Sequence, residues 1–184
     1  MKDKTIVESF STSIKTDYKK HIKEHKDFPI KGVNYLDFNP LYQDADIRRK
    51  LTKDCIDLIR IFKEYFDYIG VIESRGFLIG SMIADRLHKG LVLLRSKPNR
   101  LPGKTSKVKH TLEYGDAQME VQNGKGKVLI FDDVLATGGT IGGAVEVLTK
   151  AGYKPTSALF LAELEFLEPK IELNYGSVIK YGKV

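Results

Sequence analysis

The sequence predicts an α/β fold: a doubly wound, mostly parallel sheet flanked by helices, with an N-terminal extension and one long loop. Three observations carry this. Tyr68-Ile69-Gly70-Val71-Ile72 is a strand-like run, followed by helix-spaced apolar residues over 76–88 and a second strand-like run, Leu91-Val92-Leu93-Leu94. Strand, helix, strand in that order implies parallel pairing through a right-handed crossover. The run Val128-Leu129-Ile130-Phe131 reads as a strand covered on both faces and feeds a second helical pattern. Alternation of this kind gives a sheet with helices on both sides.

Taken in chain order, residues 11–26 alternate charges with Ile14, Tyr18 and Ile22, the spacing of a short amphipathic helix. Phe28-Pro29-Ile30-Lys31-Gly32-Val33-Asn34-Tyr35 is extended and punctuated by turns. Residues 44–65 place Ile47, Leu51, Cys55, Leu58, Ile59 and Phe62 on one helical face. The helix over 76–88 turns Leu78, Ile79, Met82, Ile83 and Leu87 inward. Beyond Arg95 the pattern fails until Leu112, and a loop over about 96–111 is long enough to suggest a lid. Residues 113–115 and 118–122 could form a hairpin. A helix over 142–151 and a strand over 156–163 complete the pattern.

With 184 residues, 42% hydrophobic and 29% charged, the chain fits one domain spanning 1–184. Its longest apolar runs are strand-sized and no signal-peptide core follows the first residues, so a soluble cytoplasmic protein without membrane contact is expected. The one cysteine, Cys55, has no internal partner for a disulfide. The net charge of +6 is compatible with nucleic acid or with a phosphorylated substrate.

The most informative run is Val128-Leu129-Ile130-Phe131-Asp132-Asp133-Val134-Leu135-Ala136-Thr137-Gly138-Gly139-Thr140. A strand passing through a glycine turn into a helix aims backbone N–H groups and the helix dipole at the loop, which favours an anion. Thr137 and Thr140 add hydroxyl donors without charge, and no lysine follows the glycines as in a nucleotide-triphosphate loop. Asp132 and Asp133 stand where open parallel sheets place their ligands and suit two neighbouring ribose hydroxyls.

A second strand-to-helix turn, Glu73-Ser74-Arg75-Gly76-Phe77, offers another anion site with the fixed charge of Arg75, or simply a glycine-started helix with one exposed arginine. The loop beginning Arg95-Ser96-Lys97-Pro98-Asn99-Arg100 is basic throughout, without aromatic residues for base stacking, and is better read as a lid over polyphosphate than as a nucleic-acid patch. Glu113 is a candidate proton-handling group or else an exposed strand carboxylate. His21-Ile22-Lys23-Glu24-His25 matches an inverted zinc-peptidase motif literally, but lysines crowd it and the remaining histidines, His88 and His110, lie in other contexts, so no protein-held metal is expected.

These segments resemble the type I phosphoribosyltransferase family, in particular its adenine branch. The acid pair with Ala136-Thr137-Gly138-Gly139-Thr140 is similar to that family's 5-phosphoribosyl-1-pyrophosphate signature. The adenine branch is resembled further by Glu73-Ser74-Arg75-Gly76-Phe77, by Arg100-Leu101-Pro102-Gly103, by Leu112-Glu113-Tyr114-Gly115, and by Phe28-Pro29 followed by Gly32-Val33.

The resemblance implies transfer of phosphoribose from phosphoribosyl pyrophosphate to adenine, giving AMP and pyrophosphate in purine salvage, with Mg²⁺ carried on the substrate. It assigns ribose and 5′-phosphate to Asp132, Asp133, Ala136, Thr137, Gly138, Gly139 and Thr140, and pyrophosphate to Arg75, Arg95, Lys97 and Arg100. It places Tyr35 and Leu164 on either side of the base and Tyr114 near it, with Glu113 and Arg75 as catalytic groups. It also implies a small N-terminal hood over about 1–40, a flexible lid and a homodimer. Leu36 stands where the family usually has arginine, and the loop near Ser96 is one residue longer. The glycines Gly142 and Gly143 sit in the first turns of the phosphate-binding helix without a sequence-level reason. Other purine bases, and a nucleotide-sensing regulator that binds RNA or DNA, are the competing readings.

Overall fold

In the computed structural model, residues 9–10, 14–112 and 115–182 are described. Their principal sheet contains β1 (Ser9–Phe10), β4 (Tyr68–Ile72), β5 (Gly90–Leu94), β8 (Gly126–Leu135), β9 (Tyr153–Leu164) and β10 (Asn174–Tyr181). The spatial order is β1-β10-β9-β8-β4-β5, and every neighbouring pair is parallel. β4 and β8 sit side by side, and from them the chain winds outward in opposite directions, to β5 on one side and to β9 and β10 on the other. That is the switch point where open α/β sheets place their ligands.

The two faces are covered differently. α2 (Ala45–Ile61) and α3 (Gly76–Arg86) bury Leu51, Cys55, Leu58, Ile79 and Ile83 against one face. α4 (Gly139–Lys150) and an antiparallel hairpin of β6 (Thr105–Leu112) and β7 (Gly115–Gln122) bury Ala144, Val147, Leu148, Val108 and Met119 against the other. Val128, Leu129, Ile130 and Phe131 have no exposed surface, the pattern of a central parallel strand. α3 approaches closely because Gly80 lacks a side chain: a Cβ there would overlap Val71.

Three expectations are corrected. Residues 14–26 form no amphipathic helix: a single 3₁₀ turn, Tyr18–His21, is followed by β2 (Lys23–Lys26), which pairs antiparallel with β3 (Asn34–Asp37). Tyr18 and Ile22 are buried, which satisfies the apolar spacing within one turn, and the Tyr18 hydroxyl donates to Asp54 at 2.7 Å. Strand pairing then overrides a weak helical period. The helix over 44–65 is shorter, Ala45–Ile61, capped by Asp44 accepting from the Asp46 and Ile47 amides and preceded by α1 (Asn39–Gln43). Finally, the stretch expected to be a loop over 96–111 is irregular only to Lys104, after which β6 pairs with β7 over its full length. Val108 opposite Met119 supplies its buried pair, an apolar signal too sparse to stand out among lysines.

β10 is a further strand beyond the expected pattern, with Gly176, Ser177, Val178 and Ile179 buried beside β9. Cys55 is fully buried, and burial pushes its thiol far above the ordinary value.

Candidate active site

The carboxyl ends of β4 and β8 meet at the site. Asp132 and Asp133 end the buried run of β8 and are themselves buried, with the Asp133 amide donating to Asp132 Oδ1 at 2.9 Å. Burial, reinforced by the neighbouring Asp133 charge, holds the Asp132 carboxyl well above the usual carboxylate range. Burial also raises Asp133, against the opposing pull of Arg75. Beyond the pair, Gly138 turns the chain into α4 at φ +100, a left-handed conformation suited to glycine. A Cβ there would overlap the Lys170 carbonyl oxygen, and the Lys170 amide donates to the Thr137 carbonyl at 3.0 Å. The turn encloses a small cavity of about 40 Å³ lined by Asp132, Ala136, Thr137, Gly138, Gly139 and Thr140, with the amino terminus of α4 beside it. Gly142 faces open space, so nothing packed around it requires a glycine.

Gly76 begins α3 against β8, where a Cβ would lie 3.2 Å from the Phe131 carbonyl oxygen and 3.4 Å from Asp132 Oδ1. This close seating delivers Arg75 to the acid pair: its Nε lies 2.7 Å from Asp133 Oδ2. The same guanidinium donates through Nη1 to the Tyr35 hydroxyl at 3.0 Å and the Leu36 carbonyl at 3.4 Å, and packs over the Tyr35 and Phe38 rings. Arg75 thereby joins β3 of the N-terminal segment to the acid pair, a role that exceeds the anion contact read from the sequence.

A cavity of about 350 Å³ opens between these elements. Glu73, Ser74, Arg75, Asp132, Asp133 and Thr140 line it, and Ala117, Gln118 and Met119 of the hairpin form its opposite wall. Glu73, on which sequence reasoning placed no role, accepts hydrogen bonds from the Ser96 amide at 2.8 Å and hydroxyl at 3.0 Å, and lies 3.0 Å from Arg95 Nη2. Burial draws Glu73 upward, yet the Ser96 hydrogen bonds and the Arg95 charge outweigh it and leave the carboxyl below its ordinary value. Arg95 is thus folded onto Glu73, while Lys97 and Arg100 are exposed on the same loop.

Tyr35 and Leu164 line different cavities. Tyr35 shares one of about 260 Å³ with His25, Phe28, Asp37 and Asn39. Leu164 shares another of about 520 Å³ with Asn34, Leu36, Phe166 and Tyr181. The strand period explains the separation, since Tyr35 and Leu36 are adjacent on β3 and point to opposite faces. Glu113 and Tyr114 lie outside the described residues. Sequence reasoning also passed over Tyr42, whose buried hydroxyl lacks a hydrogen-bond partner among the described residues. Burial first, and then the charge of Asp133, push its phenol far above the ordinary value. The only sequence signal for Tyr42 is its closeness along the chain to Tyr35.

Comparison with known proteins agrees with this geometry. A phosphoribosyl transferase domain model matches residues 42–170. An adenine phosphoribosyltransferase of Prochlorococcus marinus is 40% identical over 171 residues, covering 89% of this chain and 98% of that protein. Among solved structures, the enzyme from Giardia lamblia complexed with 9-deazaadenine superposes with a TM-score of 0.80 at 31% identity, covering 91% of this chain and 97% of that one. Adenine phosphoribosyltransferase from Saccharomyces cerevisiae, complexed with adenine and an imino-altritol bisphosphate, gives a TM-score of 0.76 at 32% identity, covering 86% of this chain and 93% of that one. The acid pair, the glycine turn and the arginine paired with Asp133, set at adjoining strand ends, are therefore those of a chain that belongs to the phosphoribosyltransferase family, in its adenine branch.

Proposed function

We infer that the protein transfers the phosphoribosyl group of 5-phosphoribosyl-1-pyrophosphate to adenine, forming AMP and releasing pyrophosphate in purine salvage. The observation carrying this reading is the convergence of Asp132, Asp133, Arg75 and Thr140 on one cavity beside the turn at Gly138. The complexes of the Giardia lamblia and Saccharomyces cerevisiae relatives with 9-deazaadenine and adenine support the choice of base.

In this reading the sugar hydroxyls hydrogen-bond to Asp132 and Asp133. Their raised pKa values suit groups that exchange a proton or a charge-assisted hydrogen bond with a ligand entering a dry pocket. Ala136, Thr137, Gly138, Gly139 and Thr140 hold the 5′-phosphate, whose charge is favoured at the α4 amino terminus. Arg75, Arg95, Lys97 and Arg100 take the pyrophosphate, with Arg95 leaving Glu73 to do so. Tyr35, Leu164 and Tyr114 contact the base, which requires the segment carrying Tyr35 to shift on binding because Tyr35 and Leu164 line separate cavities, and Glu113 stands with Arg75 as a catalytic group. Bond breaking to the leaving group leaves positive charge on the ribose ring, so the residues act mainly by positioning and by stabilising developing charge. The hairpin, by closing, keeps water from competing with adenine.

Asp132 and Asp133 line the cavity and would face a Mg²⁺ ion carried on the substrate. Bound there, the ion would supply charge neutralisation for the leaving group.

The reading includes a cytoplasmic homodimer. Leu91 and Leu93 are exposed on one face of the edge strand β5, and Leu78, expected from its spacing to face inward, is instead exposed on α3, which packs against the same part of the sheet. Exposed leucines along a sheet edge suit burial in a self-complementary interface. No helix among the described residues is long and apolar enough to cross a membrane.

The decisive experiment mixes the purified protein with Mg²⁺, phosphoribosyl pyrophosphate and each purine in turn and measures the nucleotide formed. AMP from adenine, with hypoxanthine, guanine and xanthine much poorer, is the expected result. Absence of AMP formation overturns the reading.

A further inference from the structure

Strand β7 carries a carboxylate that the site as described leaves unexplained. Glu120 is 1% exposed and is not among the residues lining the site cavity; it is surrounded instead by the roots of a loop. Its main chain exchanges two hydrogen bonds with Arg95, Arg95 N to Glu120 O at 2.8 Å and Glu120 N to Arg95 O at 2.9 Å. Its side-chain Oε2 accepts from the Arg100 amide at 2.8 Å, and its Oε1 lies 3.5 Å from Lys107 Nζ. That ammonium also donates to Asn99 Oδ1 at 2.6 Å, and Asn99 sits in the left-handed region at φ +61. One residue therefore grips both ends of the segment 95–100, which carries Arg95, Lys97 and Arg100.

We propose that Glu120 is a positioning residue for pyrophosphate: its buried carboxylate fixes the path of the 95–100 loop and so presents the loop cations to the leaving group. The inference rests on the reading of that loop given above. A buried charge is costly unless compensated, and an apolar residue would fill the same space without that penalty. The compensation here comes from a loop amide and from Lys107, whose other partner is on the loop, so the charge is tied to loop geometry. Burial alone would raise the Glu120 carboxyl, but the Arg100 amide, the Thr105 side chain and Lys107 outweigh it and keep the acid below its ordinary value. The anion is thus the working form.

The test is Glu120→Gln, which retains side-chain volume and both main-chain bonds to Arg95. Calorimetric titrations with magnesium pyrophosphate and with AMP are combined with the KM values for phosphoribosyl pyrophosphate and adenine. Loss of a charge-assisted bond should weaken pyrophosphate binding and raise the KM for phosphoribosyl pyrophosphate about tenfold. AMP affinity and the KM for adenine should hold within about twofold, because neither ligand uses the loop. Unchanged pyrophosphate affinity, or an equal loss for AMP, overturns the proposal. If the glutamine variant folds poorly, Lys107→Met, at a partly exposed position, should give a smaller selective loss of about threefold, and a loss shared with AMP or no loss overturns it. Arg100→Ala separates the two readings. If it leaves pyrophosphate affinity intact, the loop assignment fails and the inference falls with it. If it weakens binding while Glu120→Gln does not, only the role of Glu120 fails.

Discussion

The guanidinium of Arg75 lies 2.7 Å from the carboxylate of Asp133, and this single ion pair connects the turn after β4 to the end of β8. The other side of Arg75 reaches the Tyr35 hydroxyl and the Leu36 carbonyl. The fixed positive charge opposes the rise that burial imposes on Asp133.

Arg75→Ala removes that charge and leaves two buried acids facing each other. The variant should stay folded with a lower melting temperature, because the arginine side chain is partly exposed and the buried acids it leaves already have raised pKa values and can hold a proton. Its kcat/KM for phosphoribosyl pyrophosphate should fall about 10²–10³-fold, the scale for losing one preorganised electrostatic contact. Steady-state kinetics with a thermal melt measure both, and an unchanged kcat/KM would remove Arg75 from the site.

The raised carboxyls make a pH prediction. A group whose pKa is higher in the folded than in the unfolded chain binds more protons when folded, so its contribution to stability declines as pH rises from the unfolded value through the folded one. Asp132→Asn removes this penalty. The variant should melt above the parent near neutral pH, with the difference closing towards about pH 4, where the ordinary carboxylate range begins. It should also lose most activity. Melting curves across pH decide the matter, and a constant offset between the two proteins would contradict it.

Two glycines of one helix start should respond oppositely to alanine. Gly138→Ala forces a Cβ into the left-handed region and onto the Lys170 carbonyl, so it should destabilise the fold by about 1–3 kcal/mol and abolish phosphate binding. Gly142→Ala meets open space inside α4 and should stabilise by up to about 1 kcal/mol with AMP formation intact. Denaturant titration of each variant measures the contrast, and the same sign for both would refute it.

Leu93→Glu places a charge on the exposed leucine face of β5. If that face joins two copies, sedimentation should show the dimer replaced by monomer while helix content is retained. A variant that remains dimeric would locate the interface elsewhere.

The sheet and the heart of the site were legible in the sequence because the responsible residues are contiguous. The buried run of β8, its acid pair and its glycine turn occupy thirteen successive positions, 128–140, and the turn at Arg75 lies within one strand-to-helix connection. Less legible was whatever depends on pairing between distant segments. Lys23–Lys26 is wholly exposed and becomes a strand only beside Asn34–Asp37, so no periodicity marks it. Lys107 and Lys109 look like loop residues until Val108 is seen against Met119. No residue pattern singles out Glu73, at the turn after β4, or Glu120, inside β7, and their partners, the Ser96 and Arg100 amides, are 23 and 20 residues away along the chain. Main-chain donors carry no signature in residue type.

Lys170 extends the same lesson to substitution. It braces the rear of the Gly138 turn entirely through its peptide groups, the amide bonding to Thr137 and the carbonyl filling the space where a Cβ would project. Its ammonium is dispensable for that task, so glutamine, serine or leucine would brace the turn equally well. Proline alone would lack the required hydrogen. A stringent demand on the backbone can therefore hide at a position tolerant of almost every side chain.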